Sequence, residues 1–208
     1  MRASKSNPYR TTSHRNDPFV KKAKEAGYRS RAAYKLLEID QRDHLFRLGD
    51  TVVDLGAAPG GWSQVAKEKI GKKGLVIAID MLPIKPIHGV VSLKGDMRDR
   101  RMQNQILDLL AGDAARVVIS DMAPNISGSS VLDQPKILHV AESAFEAGIR
   151  FLAPGGDFLV KVFQGEGFDA FVSTVRCSFT KTHIRKPKAS RPSSREVYIL
   201  GLGLSSNA

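Results

Sequence analysis

The sequence predicts an α/β protein, a mostly parallel β-sheet with helices packed on its faces. Three observations lead there. From about residue 50, short β-branched runs alternate with longer helix-like stretches, the pattern of β-α-β units. A loop of small residues, Gly56-Ala57-Ala58-Pro59-Gly60-Gly61, joins the first run to the helix that follows, the place where such sheets bind nucleotides. Finally, 42% of the 208 residues are hydrophobic, enough for one core without a disulfide or metal staple.

Taken in order, residues 1–18 are polar and basic and read as a flexible arm, which leaves residues 19–208 as a single domain. Ser30 is placed to cap a helix that runs through Ala32, Leu36 and Ile39 and carries Lys35. Strands are expected at Thr51–Leu55, Leu75–Asp80, Val90–Lys94, Arg116–Asp121 and Asp157–Phe163. Helices are expected between them at Gly61–Ile70, Arg98–Leu110 and Gln134–Leu152, the last ended by Pro154-Gly155-Gly156. Phe168–Cys177 reads as a further helix, and Thr182–Arg185 and Glu196–Gly201 as two closing strands. The intervening Lys186–Ser194 segment is rich in Pro, Lys and Ser and reads as a mobile loop.

The net charge of +11 is concentrated. Residues 1–35 hold ten basic side chains against Asp17 and Glu25, and residues 181–195 hold Lys181, Arg185, Lys186, Lys188, Arg191 and Arg195 with no acid. Acids outnumber bases over the remainder, so the chain is an ordinary globular body with two cationic clusters, and a polyanion is the expected partner. Aromatic residues Tyr9, Phe19, Tyr28 and Tyr34 interleave the first cluster. The lone Cys177 suits a reducing compartment, and no apolar run is long enough to span a membrane or act as a secretory signal. A cytoplasmic location follows as an expectation. The five histidines are scattered, so no metal is expected, and nothing demands a dimer, so a monomer is expected.

Asp54-Leu55-Gly56-Ala57-Ala58-Pro59-Gly60-Gly61-Trp62 departs from the dinucleotide fingerprint, because Ala58 stands where a glycine would admit a pyrophosphate, and it lacks the Gly-Lys-Ser/Thr of a phosphate-binding loop. Its glycines would allow close backbone approach, and its amides could meet a carboxylate. Asp80 at the end of the second strand could accept from two ribose hydroxyls, and Asp96 after the third from an adenine amino group. Trp62 could wall such a pocket or belong to the core. S-adenosylmethionine combines adenosine, a carboxylate and no phosphate, and is the expected cofactor.

Four further residues need a common explanation: Lys35, Asp121 in Asp121-Met122-Ala123-Pro124-Asn125, Lys161 inside the apolar run Leu159–Phe163, and Glu196 after Ser190-Arg191-Pro192-Ser193-Ser194-Arg195. With the Asp54–Trp62 loop and the Gly95-Asp96 turn, they fall in the order and spacing of a known family. From about residue 18 to residue 201 the chain resembles the FtsJ/RlmE-type ribosomal RNA large-subunit 2′-O-ribose methyltransferases. The resemblance implies a Rossmann-like, class I S-adenosylmethionine-dependent methyltransferase with a seven-stranded, mostly parallel sheet whose last strand is antiparallel. It implies a Lys35-Asp121-Lys161-Glu196 catalytic tetrad. It also implies a cofactor site at Asp54, Gly56, Pro59, Gly60, Gly61, Trp62, Asp80, Asp96 and Asp121, and 2′-O-methylation of a uridine in the 23S rRNA of the 50S subunit. Whether Lys161 is a general base or only orients the hydroxyl is left open by the sequence. Two other readings exist. A base-modifying methyltransferase would want an aromatic residue where Asn125 stands, and a non-catalytic rRNA-binding assembly factor needs only the basic clusters.

Overall fold

The computed structural model describes residues 17–124 and 130–206, with the side chains of residues 130–133 left aside. Most of the expected arm at residues 1–18, and Asn125, lie outside the described residues.

Seven strands and six helices follow one another as α1 (Pro18–Glu25), α2 (Ala33–Asp43), β1 (Thr51–Leu55), α3 (Gly61–Ile70), β2 (Leu75–Asp80), β3 (Val90–Lys94), α4 (Arg100–Leu109), β4 (Ala115–Ser120), α5 (Ser130–Phe151), β5 (Leu152–Phe163), α6 (Phe168–Ser178), β6 (Phe179–Arg185) and β7 (Glu196–Leu204). They build one sheet in the order β3-β2-β1-β4-β5-β7-β6. β7 is antiparallel to both of its neighbours, and the other pairings are parallel.

The central strands are buried on both faces, which is why they read as unbroken Val and Ile runs. One layer of core lies under α4, α5 and α6, where Val53, Val118, Phe145 and Phe158 meet. The other lies under α2 and α3, where Leu36, Val52, Trp62, Ile119 and Tyr198 meet. The edge strands β3 and β6 end in Lys94 and Arg185; β3 exposes alternate residues, Ser92 and Lys94, and β6 exposes Thr180, Lys181 and Ile184.

Several boundaries differ from expectation, each for a local reason. α1 is an additional helix: Pro18 occupies its first turn and Asp17 Oδ1 accepts the Phe19 amide at 2.9 Å, a side-chain cap. Ser30 does not cap α2, which has Ala32 at its cap position without a side-chain bond. α5 begins at Ser130, because Pro135 lies inside the helix rather than opening it. The Pro154-Gly155-Gly156 turn is contained within β5. The register jumps between the Ala115–Leu152 and Val117–Asp157 pairs, and Arg116 spans the bulge by donating to Gly155 O at 2.6 Å and pairing with Asp157 at 3.2 Å. Asp121 falls just beyond β4, in the connection at the mouth of the sheet.

The Lys186–Ser194 segment is not a loose loop. Pro187, Ala189 and Ser190 are buried, the Lys188 amide donates to Glu38 Oε2 at 2.8 Å, and Lys186 Nζ donates to Ser194 O at 2.6 Å. Arg31 also donates to the Ala189 carbonyl.

Candidate active site

A cleft of about 510 Å³ opens at the carboxyl ends of β1 to β4, with Val140 and Ser143 of α5 on its far side. Three expected carboxylates line it, Asp80, Asp96 and Asp121, together with Gly56, Ala58, Met81, Leu82, Met97 and Met122. Asp80 Oδ2 accepts the Ala58 amide at 2.9 Å and Oδ1 the Leu82 amide at 2.7 Å, which orients the carboxylate and leaves lone pairs for two more donors. The one arginine in the lining, Arg98, is chelated by Asp96 through bonds of 2.6–3.1 Å. Those hydrogen bonds outweigh burial and hold the Asp96 carboxyl below its ordinary value. A cleft lined by acids, whose arginine is already neutralised, suits a nucleoside bearing a positive centre and repels a pyrophosphate.

The glycine loop is used differently from expectation. The amides of Gly56 and Ala57 donate to Ile79 O, that of Ala58 to Asp80, and that of Gly60 to Ala57 O, so these four are unavailable to an anion. Its glycines make room for protein. A Cβ on Gly56 would meet Met122, one on Gly60 would meet Ile87 and Arg29, and one on Gly61 would fall 2.5 Å from Ser30 Oγ. Gly56 and Ala58 face the cleft, whereas Pro59, Gly60, Gly61 and Trp62 do not line it. Trp62 is core: 3% exposed, it donates Nε1–H to Ala32 O at 2.8 Å and packs 5.6 Å from the Tyr198 ring. Asp54 lies buried at the end of β1 and accepts from Ser63 Oγ at 2.6 Å. Burial dominates its environment and pushes its carboxyl up to about 7.

Lys35, Asp121, Lys161 and Glu196 come together at the mouth. Lys161 Nζ lies 3.1 Å from Asp121 Oδ1, and Lys35 Nζ lies 2.5 Å from Glu196 Oε1. The two ion pairs are joined by a residue outside the expected set. Tyr198 Oη donates to Asp121 Oδ1 at 2.7 Å and lies 3.5 Å from Glu196 Oε1. Ser190 Oγ donates to Glu196 at 2.7 Å. Burial alone would raise the Glu196 carboxyl, but the Lys35 ammonium, the hydrogen bonds from Lys35 and Ser190, and the charge of Lys161 hold it below its ordinary value. For Tyr198, burial and the two carboxylates act in the same direction and push the phenol well above its usual value, so it stays a donor. The strand period of two offers a signal for Tyr198, since it shares a face with Glu196. Met81 has a different signal, its place directly after Asp80 at the end of β2.

The two basic clusters also converge. Arg31 pairs with Asp17 and bonds Ala189, Glu38 holds the Lys188 amide, and Asp43 receives a forked bond from Arg185 at 2.6 and 2.8 Å. Burial and the charge of Arg191 lower the Arg31 guanidinium, which places that cation close to the second cluster. Segments about 150 residues apart thus form one cationic rim beside Lys35 and Glu196. Among the described residues no group of three or more His, Cys, Asp or Glu is placed to hold a metal, and no helix is long and apolar enough to cross a membrane.

A seven-stranded sheet with β7 inserted antiparallel beside β5, and an acid-lined cleft at the carboxyl ends of its parallel strands, is the fold of a class I S-adenosylmethionine-dependent methyltransferase. Comparison with known proteins narrows this. The chain belongs to the FtsJ-like methyltransferase family, whose profile matches residues 28–204. It is 52% identical over 203 residues to the ribosomal RNA large subunit methyltransferase E of Marinobacter nauticus, and 51% identical over 203 residues to the protein of that name from Nitrosospira multiformis, with 98% of both chains covered in each case. Among solved structures, a Plasmodium falciparum chain provisionally described as a ribosomal RNA methyltransferase matches with a TM-score of 0.76 at 26% identity, over 85% of this chain and 98% of that one. Aeropyrum pernix fibrillarin, solved with natively bound S-adenosyl-L-methionine, shares the fold at a TM-score of 0.55 and 16% identity, over 84% of this chain and 75% of its own.

Proposed function

We propose that this protein uses S-adenosylmethionine to methylate the 2′-oxygen of a uridine ribose in the 23S rRNA of the large ribosomal subunit. The observation that carries the reading is the Lys161 amine, held against Asp121 where the cleft meets the cationic rim. The names of the half-identical relatives support the RNA substrate, and the family resemblance supports the uridine and its 2′-oxygen.

The residues present fit the cofactor. Asp80 has acceptor capacity for ribose hydroxyls, Asp96 stands beside it after β3 where an adenine amino group would compete with Arg98 for its oxygens, and Asp121 completes an acidic lining suited to a cation. Asp54, Pro59, Gly60, Gly61 and Trp62 support the shape of the loop from behind. When bound, S-adenosylmethionine would supply a methyl group on a positively charged sulfur, open to displacement by an oxygen that the residues of the site must hold in place.

Supplying that oxygen is the task of the tetrad. Lys161 Nζ would accept the hydroxyl proton as the oxygen displaces the sulfur from the methyl carbon, and Asp121 would stabilise the resulting ammonium. Lys35, fixed by Glu196, holds the ribose from the other side, and Tyr198, which donates to Asp121 and lies 3.5 Å from Glu196, links the two carboxylates. The cationic rim binds the phosphates and presses the sugar into the mouth. Incubation with labelled S-adenosylmethionine and 50S subunits, followed by nuclease digestion, tests the reading. Label on a uridine ribose is expected; label on a base or no transfer overturns it.

A further inference from the structure

Arg29 belongs by sequence to the first basic cluster, yet its side chain turns away from the role of a phosphate contact. It is half-buried, and its guanidinium donates to three backbone carbonyls: Nη1 to Pro59 at 3.0 Å and Lys85 at 2.6 Å, and Nη2 to Pro86 at 2.7 Å. Two loops are joined by this one side chain. Pro59 belongs to the glycine loop that carries Gly56 and Ala58, and Lys85 and Pro86 belong to the segment after β2 that carries Met81 and Leu82.

The surroundings are built for it. Gly60 has φ +107, and a Cβ there would lie 3.0 Å from Arg29 Nη1 and 2.7 Å from Ile87, so the concave side of the turn is filled by the arginine and its neighbour. The segment that holds Arg29 is itself fastened to α3. The Arg29 amide donates to Gln64 Oε1 at 2.9 Å, Gln64 Nε2 donates to Gly27 O at 3.0 Å, and Trp62 donates to Ala32 O at 2.8 Å. α2 begins one residue later and carries Lys35.

We infer that Arg29 is a positioning residue for the cofactor cleft: it clamps the glycine loop to the segment after β2 and ties both to the stretch that delivers Lys35. A planar fork can bridge carbonyls on two loops at once, whereas an ammonium is a single point. The cleft keeps its width only while the stretch preceding α2 stays docked, so occupancy of the cleft and placement of Lys35 support each other. This inference rests on the cofactor reading above.

The test is titration calorimetry with S-adenosylhomocysteine on the wild-type protein, Arg29→Ala and Arg29→Lys, with circular dichroism to establish folding. Both variants are expected to bind about tenfold more weakly, the scale of one lost charge-assisted hydrogen bond. The KM for S-adenosylmethionine rises in parallel, while kcat at saturating cofactor stays within about twofold. RNA affinity and its salt slope stay unchanged in Arg29→Lys. Full rescue by lysine, or unchanged uptake with a shallower salt slope, makes Arg29 a phosphate contact and overturns the inference alone. No uptake by the wild-type protein overturns the cofactor reading and the inference with it. Should Arg29→Ala fail to fold, Arg29→Lys carries the comparison.

Discussion

Lys161 Nζ is bonded twice to one residue, at 3.1 Å to the Asp121 carboxylate and at 2.5 Å to the Asp121 carbonyl. The amine is thereby held at the point where β5 and the connection after β4 meet, facing the hydroxyl it would deprotonate. Lys161→Ala would remove the proposed proton acceptor without replacing a residue of the cleft lining. Turnover is expected to fall at least about 100-fold while affinity for S-adenosylhomocysteine is retained. Single-turnover kinetics with calorimetry checks this, and near-normal turnover removes Lys161 from the mechanism.

Tyr198 is the shared donor between two carboxylates. Its removal as Tyr198→Phe keeps the ring packed on Trp62 but leaves Asp121 one donor short. A loss of about 1 kcal/mol in stability is expected, the net scale of one hydrogen bond, because Asp121 is half-buried and keeps Lys161 as a partner. Turnover should drop about tenfold through misplacement of Asp121 and Lys161. Denaturant melts and steady-state kinetics on the same preparation measure both.

Asp54 gives the cofactor-free protein a pH dependence. Its ordinary value is about 4, and burial raises it to about 7 in the folded state. The folded chain therefore holds a proton that the unfolded chain releases between those limits. This residue's contribution to stability is full below about pH 4 and is lost as pH rises through about 7. Asp54→Asn, which cannot ionise, should gain stability relative to wild type as pH rises from about 4 to about 7. Thermal melts across that range decide it, and parallel curves for the two proteins contradict the assignment.

Lys188 and Arg195 are exposed on the rim beside Glu196. If each neutralises one phosphate, Lys188→Ala and Arg195→Ala each make the plot of log affinity against log salt shallower by about 0.7–0.9. Filter binding to 50S subunits over a salt series gives the slopes. An unchanged slope in both variants places the RNA elsewhere.

The parts of the fold that the sequence displays are those governed by burial on both faces. β1 and β2 have the boundaries their patterns imply, because a strand such as Leu75–Asp80 has no solvent face to interrupt its Val and Ile, and the edge strand β3 and helix α3 match without that double burial. α1 was hidden because only Ala23 is buried in it, and its signal lay in the Asp17-Pro18 cap instead. The Lys186–Ser194 segment has loop composition and is nonetheless held, since its partners Arg31 and Glu38 lie about 150 residues away, beyond any local pattern. The same distance explains the site. Asp80 and Asp96 could be placed from strand ends alone, whereas Lys35, Asp121, Lys161 and Glu196 are separate residues in the chain that only the resemblance joined. Trp62 illustrates the reverse: adjacent to the glycine loop in sequence, it points into the core layer beneath α2 and α3.

β7 runs against its neighbours, so its first residue, Glu196, rather than its last stands at the mouth. The acid that fixes Lys35 is therefore made 161 residues after it. During translation a nascent chain can form β1 to β4 and the cleft long before that carboxylate emerges. Until then Lys35 lacks the carboxylate that pairs with it and β5 lacks β7 on its outer side, so the sheet is complete only when synthesis has passed this strand.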